Sequence, residues 1–219
     1  MSVTILTEKS GRVSAALTKR QRQGETSREL ILDATERLMA TRGYAATSIS
    51  DIRKACGLPA SSIYWHFGSK EGVLAAVMER GAGRFFAAIP GHGDVNAGNV
   101  EAQLDAAATL LAEHPEFLRL VYLLALERTE DPAVSAAVRR VRDTASAGFR
   151  AGIATMIPPE VPPERASRVL DELTALAMAM SDGAFLAAHV EADPAAVERM
   201  YRRLYQAVTA LLPILLEEE

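Results

Sequence analysis

The chain has 219 residues, 49% hydrophobic and 24% charged, a balance typical of a globular protein with its own core. Its net charge of −4 argues against a basic protein that coats nucleic acid, and its single cysteine excludes a disulfide framework or a cysteine-based zinc site. The four histidines fall in different segments without metal-ligand spacing, so we expect neither metal nor cofactor. We find neither a secretion signal nor an uninterrupted apolar run of about 18 residues, and expect a cytoplasmic protein without a membrane partner.

Charge is unevenly distributed along the chain, with a net +4 in the first 80 residues and −8 in the remainder. This asymmetry indicates that the N-terminal part meets an anion. Residues 1–25 show no sustained apolar period, and we predict a flexible basic tail there. The compact segment that follows, up to residue 80, is nearly neutral.

Helical patterns begin at residue 26 and continue to the end of the chain. The capping box Thr26-Ser27-Arg28-Glu29 predicts a first helix that ends at Arg42-Gly43. A second capping box, Ser48-Ile49-Ser50-Asp51, predicts a short helix that Gly57-Leu58-Pro59 terminates. A third short helix is expected from Pro59 or Ala60 to His66, and Ser69 is expected to cap a fourth.

The region after the fourth helix contains one clear break, residues 88–99, where we predict a mobile loop. Prolines near first helical positions then mark helix starts. The expected helices are 100–113, 115–129, 132–156, 163–190 and 194–216, and Pro213 predicts a kink or a stop near Leu212. With no convincing strand, the chain is expected to be all-α with about nine helices: an N-terminal domain at 26–80 and a C-terminal domain at 81–219.

Two features point to a helix-turn-helix at residues 48–67. Two short helices are joined by a glycine-containing turn, and Ile63 and Phe67 define a buried side of the second helix. The positions left to face outward are Ala60, Ser61, Ser62, Tyr64, Trp65 and His66. Hydroxyl groups, aromatic rings and an imidazole beside Lys70 suit contacts with phosphates and base edges in a DNA major groove.

Residues 27–80 resemble the tetracycline-repressor (TetR) type of transcriptional regulators. The resemblance is carried by Gly43-Tyr44, Thr47-Ser48-Ile49, Ile52, Gly57-Leu58, Ser62-Ile63-Tyr64-Trp65-His66-Phe67 and Ser69-Lys70-Glu71. It implies an all-helical homodimer in which three N-terminal helices bind DNA. The fourth helix links them to a domain that binds a ligand and dimerises through the last two helices.

The resemblance also implies roles for individual residues. Phosphate contacts map to Tyr64, His66 and Lys70, and base contacts map to Ser50, Ala60, Ser61 and Trp65. Thr47 and Ser48 are expected to touch the DNA backbone. Three alternatives remain open. Trp65 could be part of the core, and His66 could bridge the third and fourth helices. The basic tail could have no role, or it could be an arm that follows DNA phosphates. We interpret Cys56 as a small buried hydrophobe.

Ligand contacts are expected among the middle helices, as the resemblance implies. The candidate lining residues are His114, Phe117, Val121, Leu124, Met156, Met178 and Phe185, each of which could equally be ordinary core. His114, Glu127 and His189 are polar groups on apolar helices that could orient a ligand or merely cap or cover a helix.

The sequence suggests three candidate functions. The leading hypothesis is a repressor that a small apolar molecule releases from a palindromic operator in double-stranded DNA. A non-specific architectural DNA-binding protein is disfavoured because such binding depends on phosphate neutralisation, and residues 26–80 are nearly neutral. An all-helical enzyme is disfavoured because no phosphate-binding loop or metal-ligand spacing is present.

Overall fold

Nine α-helices and no strand occur in the part of the chain that the structure, a computed structural model, describes. The described residues are 18–43, 46–92, 99–113, 115–126, 132–193 and 195–217. The helices are α1 (Lys19–Arg42), α2 (Ile49–Cys56), α3 (Ala60–Phe67), α4 (Lys70–Ala88), α5 (Val100–Glu113), α6 (Glu116–Leu126), α7 (Pro132–Ala154), α8 (Pro163–Val190) and α9 (Ala195–Glu217). The predicted all-α class is therefore confirmed.

The N-terminal helices pack around one small apolar cluster. Ile31 of α1, Ile52 of α2, Ile63 of α3 and Val73 of α4 are all 0% exposed and form its centre. Gly57 ends α2 in the left-handed conformation (φ 71°), and its N–H donates to the carbonyl of Arg53 at 3.1 Å. The turn between the two short helices is thus the helix-turn-helix geometry that the sequence predicted.

The first helix begins eight residues earlier than predicted. Its cap is Thr18, which forms a capping box with Gln21, so residues 19–25 belong to a helix rather than to a tail. The hydroxyls of Thr26 and Ser27 do not cap a helix, because each donates to a carbonyl one turn earlier at 2.9 Å. The rest of the predicted tail, residues 1–17, lies outside the described residues.

Helix α4 connects the N-terminal helices to the remainder of the molecule. Residues 73–78 of α4 are buried, and Ala75–Met78 pack in a core cluster shared with α1, α6 and α7. On the other side, the Arg80 guanidinium reaches three carboxylates of α1: Glu29 at 3.0 Å, Asp33 at 2.7 Å, and Glu36. Helix α4 is therefore joined to α1 both by apolar packing and by these ion pairs.

The C-terminal helices form a second and larger core between α5, α8 and α9. Their starts agree with the predicted ones to within one residue, and α7 ends earlier than predicted, at Ala154. The predicted end of α6, residues 127–129, lies outside the described residues. The stop predicted near Leu212 is wrong, since α9 runs through Pro213 to Glu217. Leu212, Leu215 and Leu216 pack against the core and hold this last turn in place. Half of the predicted loop at 88–99, residues 93–98, lies outside the described residues.

One helix of the described chain, α8, is long and apolar enough to cross a membrane by length and composition alone. An 18-residue window in it has a mean hydropathy of 1.4, and 28% of that window is buried within the chain. The helix packs between α7 and α9 and contains Asp182 in an ion pair, as a core helix does. Much of its apolar surface is nevertheless left uncovered by this single copy.

Candidate DNA-binding surface and interior cavity

The outer face of α3 is the most exposed aromatic surface of the N-terminal helices. Trp65 is 76% exposed and Tyr64 is 52% exposed, while Ile63 on the opposite side is fully buried. Ser61 is also exposed, and Ala60 and Ser62 are half-buried at the edge of the same face. The alternative that Trp65 belongs to the core is therefore wrong.

The start of α2 holds three residues of the predicted DNA surface in different environments. Ser50 is exposed, and Ser48 is the exposed N-cap whose Oγ accepts the Asp51 N–H at 3.2 Å. The hydrogen bond from the Ser48 hydroxyl is the main reason that the pKa of Asp51 is lowered. Thr47 does not fit the predicted backbone contact, because it is 0% exposed and its hydroxyl donates to the Gly43 carbonyl at 2.8 Å.

His66 lies half-buried at the end of α3. Its ring meets the edge of Trp65 at a centroid distance of 4.5 Å, and burial together with the charge of Arg28 lowers its pKa. The imidazole is therefore neutral near pH 7, and could give a phosphate an uncharged N–H only. The charged neighbour is Arg28 of α1, whose guanidinium lies 5.4 Å above the ring of Phe67.

A tight turn brings Lys70, the first residue of α4, beside α3. Ser69 caps α4 by accepting the Gly72 N–H at 2.9 Å, and a Cβ at Gly72 would lie 2.0 Å from the Phe67 carbonyl oxygen. Only glycine allows this close approach. The sequence analysis overlooked Gly72, although a glycine in the first turn of a helix is the signal that could have revealed it.

An interior cavity of about 110 Å³ lies among the helices of the C-terminal domain and the end of α4. Four predicted ligand residues line it: Phe117, Val121, Met156 and Met178. Two others do not line it. Leu124 is buried in the core cluster between α4, α6 and α7, and Phe185 stacks on Tyr122 and His189 away from the cavity lining. The predicted His114 and Glu127 lie outside the described residues.

A polar cluster at the cavity wall was not predicted. The Tyr122 hydroxyl donates to Asp182 Oδ1 at 2.7 Å, and the Arg142 guanidinium donates to both Asp182 oxygens at 3.2 and 2.9 Å. Burial, and then the neighbouring Asp182 carboxylate, raise the pKa of Tyr122, which stays protonated. The signal in the sequence was the charge of Asp182 within the apolar stretch of α8.

Beside this cluster, Ser181 and Tyr201 share a hydrogen bond of 2.6 Å between their hydroxyls. Tyr201 is 3% exposed, and its burial raises the pKa of its phenol to about 12. Both residues line the cavity. The wall is thus mostly apolar with one group of hydrogen-bonding side chains, as small-molecule sites generally are.

His92 follows the C-terminal end of α4 and closes another part of the cavity wall. Its ring stacks on Phe86 at a centroid distance of 4.7 Å and lies against Gly148 of α7, where a Cβ would come within 2.2 Å of it. Burial lowers the pKa of His92, although a hydrogen bond to the Thr144 backbone opposes this effect. The sequence analysis had placed His92 in a loop and gave it no role.

Metal-binding geometry is absent from the described ranges, where no three His, Cys, Asp or Glu side chains come together as ligands would. Cys56 is half-buried, with its Sγ 3.7 Å from the Arg53 carbonyl oxygen.

Comparison with known proteins gives matches to both parts of the chain. The family model described as "Bacterial regulatory proteins, tetR family" matches residues 31–77. The HTH-type transcriptional regulator AlkX of Mycobacterium tuberculosis is 34% identical over 105 residues, which cover 46% of this chain and 50% of AlkX. The chain spans no more than half the length of the curated relatives that it matches.

Solved structures share the fold over most of the chain. A TetR transcription regulator from Haloarcula marismortui has a TM-score of 0.65 at 21% identity, covering 85% of this chain and 98% of its own. The complex of SmeT, from Stenotrophomonas maltophilia, with triclosan has a TM-score of 0.59 at 20% identity, covering 84% and 90%. Residues 31–77, which include the helix-turn-helix, therefore match the TetR family of bacterial regulatory proteins in sequence, and the nine helices share the fold of solved TetR regulators.

Proposed function

We propose that this protein is a transcriptional regulator of the bacterial cytoplasm that binds a palindromic operator as a homodimer and leaves it when a small molecule fills the cavity. The observation that carries the proposal is that one helix, α4, connects the exposed face of α3 to the interior cavity. Lys70, at the start of α4, lies beside the exposed face of α3, and Phe85 and Phe86 near its end line the cavity.

The exposed face of α3 supports DNA binding. Ser61, Tyr64 and Trp65 project from a short helix whose opposite side is anchored in the core, as in a recognition helix. Lys70 and the N-terminus of α4 beside it add favourable potential for a phosphate. The family model described as "Bacterial regulatory proteins, tetR family" matches residues 31–77, which include α2 and α3. The relatives AcrR and AlkX are named as transcriptional regulators, and we propose a non-enzymatic role for this protein too.

The uncovered faces of α8 and α9 support a homodimer. Leu186 and Val190 of α8 are 47% and 83% exposed, and Ile214 of α9 is 52% exposed. Apolar side chains in this number on adjacent helices favour burial against a second copy. A two-fold dimer would place two α3 helices in successive major grooves, roughly 34–36 Å apart on a palindrome.

Ligand control requires different affinities for two arrangements of the dimer. A molecule that binds the cavity equally well in both arrangements shifts nothing, whereas one that needs α4 displaced favours a wider separation of the α3 helices. SmeT, which shares the fold, has been solved with triclosan. The apolar wall of the cavity supports a small apolar effector for this protein too.

Selection of binding sites from random duplex DNA, at near-physiological salt, tests the proposal. A palindromic consensus with half-sites about one helical turn apart is the expected result. The alternative of a non-specific architectural protein predicts no consensus and an affinity that falls steeply with salt. A protein that selects no sequence, even after extraction of any bound small molecule, would contradict the proposed function.

A further inference from the structure

The chemistry of the cavity wall restricts what the cavity can hold. Arg142 and Asp182 are the only two side chains with a formal charge among the described residues that line it, and they pair with each other. Two hydrogen bonds join them, so neither group is available to a charged ligand without losing its partner. The cavity therefore contributes almost no net charge.

The third ionisable group that needs consideration is His92. Its ring is stacked between Phe86 and the backbone of α7 at Gly148, and its lowered pKa keeps it neutral near pH 7. Tyr122 and Tyr201 line the same cavity, and their raised pKa values keep them protonated and uncharged. A charged ligand would thus lose its hydration without finding a counter-charge.

The polar side chains suit a hydroxyl group. A carboxylate has about four lone-pair positions, of which Asp182 uses three for Tyr122 and Arg142. The Ser181–Tyr201 bond uses one hydrogen and one lone pair of two hydroxyl groups. Donor and acceptor groups therefore lie side by side, and a ligand hydroxyl can both donate and accept.

The remainder of the wall is aromatic. Phe85 and Phe117 lie 4.7 Å apart between ring centroids, and Phe86 and Phe149 line the same space. Flat apolar groups are favoured beside such rings.

We infer that the cavity takes an uncharged aromatic molecule whose phenol or alcohol hydroxyl lies against Tyr122, Arg142 and Asp182. This inference rests on the proposed function, because it specifies the effector that releases the operator. It excludes carboxylates and amines of the same size and shape as good ligands.

Three biphenyls that differ in one substituent test the inference on the full-length chain without DNA. They are 4-hydroxybiphenyl, biphenyl-4-carboxylate and 4-aminomethylbiphenyl, the last being cationic at pH 7. Isothermal titration calorimetry is expected to show the phenol binding at least about 10-fold more tightly than either ion. Equal or tighter binding of an ion overturns the inference, and so does the absence of binding by all three.

Charge variants make the test sharper. Asp182→Asn leaves the Arg142 charge unpaired and is expected to move the preference toward the carboxylate by at least about 10-fold. Arg142→Gln leaves Asp182 unpaired and is expected to favour the amine. Unchanged selectivity in both variants contradicts the inference. Circular dichroism identifies a variant that does not fold. In that case the other variant and the wild-type protein with the three biphenyls test the inference.

Arg150→Gln is the matched control. Arg150 lies on the same helix as Arg142 and pairs with Asp171 of α8, outside the cavity lining. Its removal also breaks an α7–α8 ion pair, so it should leave the order of the three ligands unchanged. Because binding is measured without DNA, failure here is distinguishable from failure of the proposed function, which the site selection reports.

Discussion

Two buried threonines differ in whether their hydroxyls are satisfied. Thr174 of α8 is 6% exposed and lacks a hydrogen-bond partner in the described structure, whereas Thr35 of α1 donates to the Ile31 carbonyl at 2.7 Å. We expect Thr174→Val to raise the free energy of unfolding by up to about 1 kcal/mol, because it removes an unpaired buried hydroxyl. Thr35→Val, the matched control, should lower it by about 1 kcal/mol. Urea unfolding measures both, and equal losses would contradict the prediction.

We predict two different effects on DNA binding for substitutions on and beside the outer face of α3. Tyr64→Phe and Lys70→Ala should weaken binding to the selected operator and to its mutants alike, by roughly 1 kcal/mol each, because we expect both residues to contact phosphates. Ser61→Ala or Trp65→Ala should instead change the selected consensus. Binding by fluorescence anisotropy and a repeated site selection provide the measurements. Arg202→Ala, exposed on α9, is a control that should alter neither.

At the residue scale, sequence periodicity identified the three exposed residues of this face, and Ala60, Ser62 and His66 are half-buried. A helix anchored by Ile63 and Phe67 must turn Ser61, Tyr64 and Trp65 outward, and they are exposed. Thr47 was misassigned because it lies between helices, where no periodicity applies. Its hydroxyl turns inward to the Gly43 carbonyl, a bond that depends on the path of the loop.

At the scale of elements, Gly148 shows how α7 holds the segment after α4. A Cβ at Gly148 would lie 2.2 Å from His92 Cε1, whereas a Cβ at Gly152, one turn later, would meet only Val100 at 3.5 Å. Gly148→Ala should therefore destabilise the protein by about 1–3 kcal/mol through overpacking. Gly152→Ala should stabilise it by up to about 1 kcal/mol through helix propensity.

A double variant tests this explanation. In a His92→Ala background the obstacle to the new methyl group is removed, so Gly148→Ala should become neutral or stabilising. Thermal unfolding monitored by circular dichroism gives all four stabilities. A loss of the same size in both backgrounds would show that His92 is not the cause.

Arg80 of α4 forms ion pairs with three carboxylates of α1. Its side chain is 15% exposed and contacts three carboxylates, whereas Arg84 is 60% exposed and contacts one carboxylate among the described residues, that of Glu36. Allowing for screening of the partly exposed carboxylates, we expect Arg80→Ala to cost about 1–2 kcal/mol and Arg84→Ala less than about 0.5 kcal/mol. Urea unfolding at low salt and at about 1 M salt should show a smaller difference at high salt.

The helices themselves were largely predictable because caps and prolines are local signals. The start of α1 was the main exception. Residues 19–25 extend beyond the apolar cluster of the N-terminal helices and therefore carry no apolar period, and the Thr18–Gln21 box competes with the box at Thr26. The end of α9 was misjudged because the effect of Pro213 on the helix was overcome by packing of the leucines after it.

At the scale of the whole molecule, assembly should depend on the uncovered apolar side chains of α8. Leu186→Glu combined with Val190→Glu is expected to convert a dimer into a monomer at micromolar concentration, because charges at an apolar interface lose hydration. Analytical ultracentrifugation measures the mass. Thr109→Glu, on the exposed side of α5, is the control that should stay dimeric. An unchanged dimer in the α8 variant would assign the interface elsewhere.

The cavity could be predicted only in part because it is built by segments far apart in the sequence. Periodicity points Phe117 and Val121 inward, but an inward residue can join a core as Leu124 does. The cluster of Tyr122, Arg142 and Asp182 depends on the relative rotation of three helices, which no local pattern encodes. Asp182 alone was visible, as a charge on an apolar helix.

The position of the single tryptophan has a practical consequence. Trp65 is the only tryptophan of the chain, and it lies 76% exposed on the face of α3. Its intrinsic fluorescence therefore monitors the N-terminal helices alone, with emission near that of indole in water. DNA that covers α3 should shift this emission without any added dye, whereas a molecule in the cavity, which Trp65 does not line, should shift it by moving α4. The protein thus carries a built-in optical probe that separates occupancy of the cavity from its transmission to the DNA-binding end.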